Sequence, residues 1–196
     1  MKRIGVLVSG GGTNLQALID AQTDGIIKSG EIVTVVSNKS DAYALERARN
    51  AGIDAHFISK KECGSAEAFD IALRDYMQKM NVDVVVLAGF LAILGKGFID
   101  AYRDRIVNIH PSLIPSFCGD GFYGLKVHQA ALDYGVKVTG ATVHLVNEIT
   151  DGGKILMQKA VYINADDTAE TLQKRVMEEA EWKILPQAVE MLCREI

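Results

Sequence analysis

The stretch VDVVVLA at residues 82–88 is nearly continuously apolar, and it constrains the fold more than any other segment of the chain. A strand with one face in water alternates apolar and polar residues, whereas a strand covered by helices on both faces stays apolar throughout. Strand-like runs at residues 3–9 and 31–38 are each followed by a segment with helical periodicity. This alternation continues through the first 110 residues and predicts a doubly wound α/β fold with a mostly parallel sheet.

The last third of the chain departs from that alternation. Two strand-like runs, residues 138–146 and 155–161, are separated by a turn that contains Asp151 and two glycines, and residues 168–192 show the amphipathic pattern of a long helix. We expect the two strands to extend the sheet as an antiparallel C-terminal extension. No repeat, linker or low-complexity segment interrupts the sequence, so residues 1–196 are predicted to form a single domain.

Charge and cysteine usage narrow the class of partner. The formal net charge is −4 and the basic residues are not clustered, which argues against nucleic-acid binding. The longest apolar stretch is too short to span a bilayer, so no membrane association is expected. Three cysteines without a CxxC pair suit a reducing, cytoplasmic location and predict neither disulfides nor a zinc site. We therefore expect small-molecule substrates, while the sequence leaves open whether the protein is a monomer or a homodimer.

A glycine loop, SGGGTN at residues 9–14, separates the first strand from the first helix. Glycines let the backbone approach a ligand, and a helix start offers unpaired N–H groups to an anion, so the loop favours phosphate binding over a plain strand-to-helix turn. The dinucleotide fingerprint would need a small residue at Leu15 and an acid where Asn38 and Lys39 stand. A P-loop would need a lysine after the glycines. We therefore expect the loop to bind the terminal monophosphate of a small substrate.

Asn108 and His110 end the fifth predicted strand, in the motif NIHPS. Residues two apart on a strand point the same way, so the amide and the imidazole should converge. In open α/β sheets ligands bind beyond the carboxyl ends of the strands, which is where the glycine loop also opens. Asp151 is the third candidate, with a simple turn aspartate as the alternative interpretation.

Two further features stay open at the level of sequence. The segment CGDGFYG at residues 118–124 sets three glycines among aromatic residues, which fits either an ordinary surface loop or a mobile lid over the site. His144 lies in the run at residues 138–146 and either faces the site or packs in the core. His56 and His128 are interpreted as surface or packing residues.

Taken together, these motifs resemble the glycinamide ribonucleotide formyltransferases of purine synthesis. The similarity rests on SGGGTNLQALID, VSNKSDAYALERARNAGI, DVVVLAGFLAIL, NIHPSLIPSF, TGATVHLV and the DGG turn, which follow the family's order and span nearly the whole chain. The resemblance implies a Rossmann-like formyltransferase fold, 10-formyltetrahydrofolate as the formyl donor, glycinamide ribonucleotide as the acceptor, and no metal.

The resemblance also assigns residues to roles. It implies a catalytic trio of Asn108, His110 and Asp151, and it implies that Glu181 holds the substrate amine. The substrate phosphate would be bound by Gly11, Gly12, Thr13 and Asn14. Folate would be bound by Asn108 and two further segments, namely Leu91, Ala92, Ile93 and Leu94, and Asn147, Glu148, Ile149, Thr150 and Asp151. Ala92 stands where the family often has arginine, and Trp182 replaces a common histidine.

The chemistry expected of such a site is attack of the acceptor amine on the formyl carbon. Asn108 would stabilise the negative oxygen of the tetrahedral intermediate together with His110, which Asp151 would keep protonated. Two alternatives remain. A 10-formyltetrahydrofolate hydrolase would pass the formyl group to water, and a non-catalytic module that binds phosphorylated metabolites would need only the glycine loop.

Overall fold

The computed structural model describes all 196 residues and contains one seven-stranded sheet flanked by helices. The strands are β1 (Lys2–Val8), β2 (Gly30–Ser37), β3 (Asp54–Phe57), β4 (Val84–Leu87), β5 (Ile106–His110), β6 (Val138–Leu145) and β7 (Ile155–Tyr162). The helices are α1 (Thr13–Thr23), α2 (Tyr43–Asn50), α3 (Lys60–Cys63), α4 (Ala66–Lys79), α5 (Lys96–Ala101), α6 (Leu125–Tyr134), α7 (Ala169–Val176) and α8 (Trp182–Glu195).

The sheet has the strand order β3-β2-β1-β4-β5-β6-β7. Strands β1 to β5 pair in parallel, whereas β6 is antiparallel to β5 and to β7. The predicted doubly wound fold with an antiparallel C-terminal extension is therefore confirmed. The chain runs outward from β1 through β2 to β3 and then returns to place β4 on the other side of β1, so the strand order reverses between β1 and β4. Such a switch point opens a crevice at the carboxyl ends of the two strands.

Strand β4 shows why the VVVL run is apolar at every position. Val84 and Val86 belong to the larger of two hydrophobic clusters, and Val85 and Leu87 belong to the smaller one on the opposite face of the sheet. Helices α1, α2, α7 and α8 contribute to the larger cluster, and α4 and α5 contribute to the smaller one. Because side chains alternate across a strand, helix layers on both faces leave β4 no solvent-facing side.

The predicted C-terminal helix is not uniform. A π-helical turn at Met177–Glu181 separates α7 from α8, so the stretch predicted as one α-helix changes its hydrogen-bonding pattern in the middle. Thr168 caps the start of α7 through reciprocal bonds with Thr171. A π turn inserts an extra residue into a helix and changes the direction in which the following side chains point, and such turns often lie at functional sites. No helix of the protein combines the length and apolarity needed to cross a bilayer.

Candidate active site

The glycine loop contains two kinds of glycine. Gly12 has φ = 74°, and a Cβ there would lie 2.6 Å from the Ala44 Cβ, so both the backbone and the packing against α2 require glycine. Gly10 and Gly11 have neither constraint, since a Cβ on either would meet nothing within 4 Å. Because no protein atom fills the space beside the Gly10 and Gly11 backbone, a ligand can approach that backbone closely.

Helix α1 begins directly after these glycines. Its N-cap, Gly12, has no side chain to bond the first N–H groups, and the first helical bond is donated by the Gln16 N–H to the Gly12 carbonyl. The amide groups of the first turn, which include Thr13 and Asn14, therefore remain free to bind an anion. From the sequence we expect the substrate phosphate to bind at this position.

Arg47 lies against the same loop and was missed from the sequence. Its Nε donates to the Gly11 carbonyl at 2.8 Å, its Nη1 donates to the Gln16 Oε1 at 3.1 Å, and its guanidinium stacks over the Tyr43 ring at 5.0 Å. No carboxylate lies within ion-pair distance of this partly buried cation. The topology could have predicted the position of Arg47, because α2 follows β2 and so begins at the same edge of the sheet as the glycine loop.

Asn14 and Glu181 are brought together by the π turn. The Asn14 Nδ2 donates to the Glu181 Oε2 at 2.7 Å, and Glu181 is only 6% exposed. Burial raises the pKa of Glu181 to about 7, although the bond from Asn14 opposes the shift. The Asn14 Oδ1 is buried and has no hydrogen-bond partner, so one acceptor at this position is unused. Asn14 therefore connects the proposed phosphate loop with the residue assigned to the substrate amine.

A second group of polar side chains forms between β5 and β6. Asn108 pairs with His144 in the antiparallel ladder, and the Asn108 Nδ2 lies 3.2 Å from the His144 Nε2. The His144 Nδ1 lies 2.9 Å from the Leu145 carbonyl, which can only accept, so Nδ1 is a donor and Nε2 accepts from the Asn108 amide. His144 thus faces the site and fixes the orientation of the Asn108 amide, which settles the choice that the sequence left open.

Asp151 completes this group from the loop after β6. Its Oδ2 lies 3.6 Å from the His110 Nδ1, and its Oδ1 lies 3.5 Å from the His144 Nε2. The Gly119 N–H donates to the Asp151 Oδ2 at 2.8 Å. Burial by itself would raise the pKa of Asp151, but the adjacent His144 ring, the hydrogen bond from the Gly119 N–H and the nearby His110 outweigh it and hold the pKa below its ordinary value. The carboxylate is therefore ionised at neutral pH.

The turn that carries Asp151 depends on its two glycines. Asp151 itself has φ = 54°, in the left-handed region. A Cβ on Gly153 would lie 1.7 Å from the Leu145 carbonyl oxygen, and one on Gly152 would lie 2.6 Å from a side-chain atom of Ile149. The DGG turn is therefore fixed by close packing against the end of β6, and this packing holds the carboxylate in place.

His110 departs from the expected protonation state. It is 4% exposed, and this burial lowers its pKa below the ordinary value, with the Phe117 carbonyl and the Asp151 charge acting in the opposite direction. The His110 Nε2 lies 2.9 Å from the Phe117 carbonyl, so Nε2 carries the proton of the neutral ring and the unprotonated Nδ1 faces Asp151. The expectation that Asp151 keeps His110 protonated is wrong, because desolvation outweighs the carboxylate.

The loop between β5 and α6 forms one wall of this group. Its Phe117 carbonyl contacts His110 and its Gly119 amide contacts Asp151. The Asp120 carboxylate accepts from the Thr150 hydroxyl at 3.0 Å. The segment at residues 118–124 therefore contacts the candidate site directly and is more than an ordinary surface loop.

The two segments assigned to folate present apolar side chains at the surface. Leu91 is 55% exposed, Ile93 is 87% exposed and Ile149 is 68% exposed, whereas Leu94 is buried in the smaller core cluster. The Leu94 side chain is thus unavailable to a ligand. Exposed apolar groups on two neighbouring loops are typical of a binding surface for a flat, partly apolar ligand.

Other residues of the second folate segment form polar contacts with protein groups. The Asn147 Oδ1 accepts from the Ile149 N–H at 2.9 Å, and Glu148 forms an ion pair with Arg103 at 2.9 Å. Ala92 of the first segment and Val146, just before the second, both pack against the smaller core cluster. The two segments therefore rest on the same part of the core.

The two remaining histidines pack as interpreted. His56 stacks on Tyr76 with ring centroids 4.3 Å apart. His128 is 1% exposed, and burial lowers its pKa to about 4, with the nearby His110 acting in the same direction. Neither residue contacts Asn108 or Asp151 through a hydrogen bond.

Comparisons with known proteins identify relatives of this chain. A family model described as formyl transferase matches residues 2–189. The phosphoribosylglycinamide formyltransferase of Haemophilus influenzae is 42% identical over 186 residues, which cover 95% of this chain and 84% of that protein. The chloroplastic phosphoribosylglycinamide formyltransferase of Arabidopsis thaliana is 40% identical over 195 residues, which cover 99% of this chain and 66% of that protein.

Other relatives are longer or have solved structures. The trifunctional purine biosynthetic protein adenosine-3 of Bos taurus is 43% identical over 191 residues, and the chain covers 18% of its length. The chain thus spans less than two thirds of several curated relatives that it matches. The crystal structure of glycinamide ribonucleotide transformylase 1 from Symbiobacterium toebii matches with a TM-score of 0.93 and 44% identity, covering 100% of this chain and 89% of that one.

Proposed function

This chain belongs to the formyl transferase family, and on that premise we propose that it transfers the formyl group of 10-formyltetrahydrofolate to the amine of glycinamide ribonucleotide in the de novo synthesis of purines. One observation carries the proposal. An amide, two imidazoles and an ionised carboxylate converge at the end of β5, although Asn108 and Asp151 are far apart in the sequence. A module that only bound phosphate would have no use for that convergence.

The acceptor's phosphate would bind at the glycine loop. The open space at Gly10 and Gly11, the free amides of α1 and the unpaired Arg47 guanidinium all favour an anion there. The Arg47 guanidinium bonds only neutral acceptors, so its charge is available to a bound anion. The phosphate of glycinamide ribonucleotide supplies that anion, and the backbone N–H groups of Thr13 and Asn14 supply the directional bonds.

Glu181 would then receive the acceptor's amine. With a pKa raised to about 7, the carboxyl group is partly ionised at neutral pH and attracts an ammonium group, which in turn favours the ionised form. Transfer of one ammonium proton to the Glu181 carboxylate exposes the lone pair that attacks the formyl carbon. The buried and unpartnered Asn14 Oδ1 offers a second acceptor to the same substrate.

The formyl oxygen would be stabilised at Asn108 and His110. Attack forms the new C–N bond and moves the carbonyl π electrons onto oxygen, where hydrogen-bond donors stabilise the transition state more than the ground state. Asn108 uses one N–H on His144 and retains a second, and His110 donates from Nε2 once the oxygen replaces the Phe117 carbonyl. The neutral His110 ring is already a donor at Nε2, the nitrogen that this role requires.

Asp151 would stabilise positive charge on His110 while a proton moves from the attacking amine to the folate nitrogen. A tetrahedral intermediate collapses when the bond from carbon to the folate nitrogen breaks, and that nitrogen leaves with the proton that the amine gives up. As negative charge develops on the oxygen, positive charge on the His110 ring becomes more favourable, and Asp151 lies 3.6 Å from its Nδ1 to stabilise that charge. The carboxylate thus acts on the transition state more than on the free enzyme.

We further propose that the enzyme works in the cytoplasm as a monomer or homodimer and needs no metal. The donor's flat ring would rest on the apolar side chains of residues 91–94 and 147–151. Its formyl-bearing nitrogen would then face Asn108. These assignments rest on the resemblance of the motifs to the family and on the exposure of Leu91, Ile93 and Ile149.

One assay tests the proposal and its two rivals. Purified protein is incubated with 10-formyltetrahydrofolate, with and without glycinamide ribonucleotide, and deformylated folate is followed by absorbance. The expected result is release that depends on the acceptor and that persists in the presence of a chelator. Release without acceptor would instead identify a hydrolase, and no release in either condition would identify a binding module.

A further inference from the structure

Ser9 is a buried polar residue that the mechanism does not use. It is 3% exposed and lies between the end of β1 and the three glycines. Its hydroxyl donates to the Asn38 Oδ1, with the two oxygens 2.6 Å apart, and accepts from the Leu91 N–H at 2.8 Å. The single hydroxyl proton and one acceptor position are both used by partners that are distant in sequence.

These contacts join the ends of three strands. Ser9 follows β1, Asn38 follows β2, and Leu91 lies in the loop after β4. The strand order reverses between β1 and β4, so this hydroxyl lies at the crevice where the proposed ligands meet. Ser9 is the first residue of the glycine loop and directly precedes its three glycines, and Leu91 is the first residue of the segment proposed to bind folate.

We propose that Ser9 is a positioning residue that couples the two ligand half-sites, so that binding of phosphate at the glycine loop favours binding of folate at residues 91–94. The inference rests on the proposed function. A phosphate that orders the backbone at Gly10 and Gly11 also fixes Ser9, and Ser9 holds the Leu91 amide in the position that the folate segment needs. Less conformational entropy is then lost when folate orders residues 91–94, so folate binds more tightly. Folate binding in turn favours phosphate binding to the same extent.

The control for a merely structural role is a second buried serine nearby. Ser37 is 0% exposed, and its hydroxyl accepts from the Lys39 N–H at 3.0 Å at the end of β2. It forms no hydrogen bond with Leu91, whose N–H is bonded to Ser9. Replacing either serine by alanine removes one buried hydroxyl that bonds a backbone amide. Ser9→Ala also removes the bond to Asn38, so it should lose more stability than Ser37→Ala, but only Ser9→Ala should alter coupling.

The experiment measures the affinity for tetrahydrofolate by calorimetry, with and without saturating inorganic phosphate. We expect phosphate to tighten folate binding about 5-fold in the unchanged protein, at the low end of the usual range of allosteric coupling. The ratio should fall to about 1 in Ser9→Ala and stay about 5 in Ser37→Ala. In the transfer assay, Ser9→Ala should raise the KM for formyl folate while kcat changes little.

Each outcome bears on a different claim. If tetrahydrofolate and phosphate both bind but the ratio is the same in the unchanged protein and in Ser9→Ala, the coupling is overturned and the proposed function stands. If neither ligand binds the unchanged protein, the proposed function falls and this inference falls with it.

A measurement on the unchanged protein keeps the inference testable if Ser9→Ala does not fold. Hydrogen exchange at the Leu91 amide should slow when inorganic phosphate is added, because the bond to Ser9 becomes more persistent. The Lys39 amide, which bonds to Ser37, should exchange at the same rate with and without phosphate. Equal exchange at Leu91 in both conditions would contradict the coupling.

Discussion

Asn108 and His144 stand opposite each other in the ladder between β5 and β6, and the bond from the amide to the imidazole fixes where the second Asn108 N–H points. Replacing Asn108 by alanine removes that donor and leaves the His144 Nε2 without its partner. Loss of one oxyanion donor typically lowers turnover by about 100-fold or more. We expect Asn108→Ala to lower kcat on this scale in the acceptor-dependent assay.

Asn147→Ala is a suitable control for that prediction. Its side chain accepts from the Ile149 N–H within the second folate segment and does not contact His144. It should raise the KM for folate more than it lowers kcat. A kcat for Asn108→Ala equal to that of the unchanged enzyme would remove the amide from the mechanism.

The pairing of Asp151 with His110 makes a prediction of definite sign. The carboxylate charge raises the His110 pKa against the larger, lowering effect of burial. Asp151→Asn removes the charge at nearly constant size, so the His110 pKa should fall further. NMR titration of the histidine ring protons measures the shift, and Asp120→Asn, which changes an exposed acid in the neighbouring loop, should leave the pKa unchanged. An unchanged His110 pKa in Asp151→Asn would refute the pairing.

How far the sequence predicts the site differs from residue to residue. Asn108 and His110 can be placed together because the two-residue period of a strand is local. The approach of Asp151 to His110 was expected only from the resemblance, since nothing in the residues fixes how a loop more than forty positions away folds back. The side to which His144 points depends on the antiparallel register of β6 against β5, which no local pattern determines.

The protonation state of His110 also lay beyond the sequence. A neighbouring carboxylate could be foreseen, and it does raise the pKa. The loop that buries the ring could not be foreseen, and burial has the larger effect.

At the scale of elements, the glycines between β1 and α1 have different roles. Gly12 is required for packing, whereas Gly11 lies where the phosphate would bind. Gly12→Ala would strain a positive φ and push against Ala44, so it should lower the free energy of unfolding by about 1–3 kcal/mol. Gly11→Ala meets no protein atom and should leave stability nearly unchanged, yet place a methyl group where the phosphate would approach. Urea unfolding and calorimetric titration with inorganic phosphate measure the two effects. A Gly11→Ala variant that binds phosphate as well as the unchanged protein would show that the loop is only a turn.

Helix α2 supplies the cation for the same junction. Arg47→Met keeps much of the side-chain stem against Gly12 but removes the charge and the bond to the Gly11 carbonyl. A charge-assisted contact to phosphate is worth about 1.5–3 kcal/mol, so inorganic phosphate should bind roughly 10- to 100-fold more weakly. Arg49→Met alters an exposed arginine on the same helix and should bind phosphate normally. Equal losses in both variants would mean that the helix contributes only a general positive field.

The order of elements could largely be predicted, but some details could not. Alternation of apolar runs with helical segments sufficed for a doubly wound sheet, because strands buried on both faces have a distinctive composition. The π turn at Met177–Glu181 has no comparable sequence pattern, since its residues suit an ordinary helix. It is nevertheless the feature that brings Glu181 to Asn14. Arg47 was missed for a related reason, as an arginine within an amphipathic helix resembles any solvated charge.

At the scale of the whole molecule, the C-terminal helical stretch carries two buried acids whose pKa values move in opposite directions. Glu190 on α8 accepts hydrogen bonds from the Lys28 and Ser29 amides at 2.8 Å each, which attaches the helix to the start of β2. Burial opposes ionisation of Glu190, but these bonds and those from the Ser29 hydroxyl and Arg194 lower its pKa to about 2. Glu181 has few such donors, and burial raises its pKa to about 7. One acid therefore stabilises the fold when ionised, and the other destabilises it.

The two acids predict opposite pH dependences of stability. Glu190 contributes stability above its unfolded pKa of about 4.5, and this contribution is lost as the pH falls toward 2. Glu190→Gln should therefore be less stable than the unchanged protein by about 2 kcal/mol at pH 7, with the difference shrinking below pH 4. Glu181 does not lower the free energy of unfolding below pH 4.5 and lowers it by the full amount above pH 7. The reason is that the folded state holds the proton more tightly than the unfolded state.

Glu181→Gln should accordingly match the unchanged protein near pH 4.5 and exceed its stability by up to roughly 3 kcal/mol at pH 8. Glutamine can still accept from the Asn14 Nδ2, so the variant removes the charge without removing the bond. Urea unfolding of the three proteins between pH 4 and 8.5 gives the curves directly, and each variant serves as the control for the other. If Glu181→Gln were no more stable at pH 8 than at pH 5 relative to the unchanged protein, Glu181 would titrate normally. Glu181 would then be ionised at neutral pH even before the substrate's positive charge is bound.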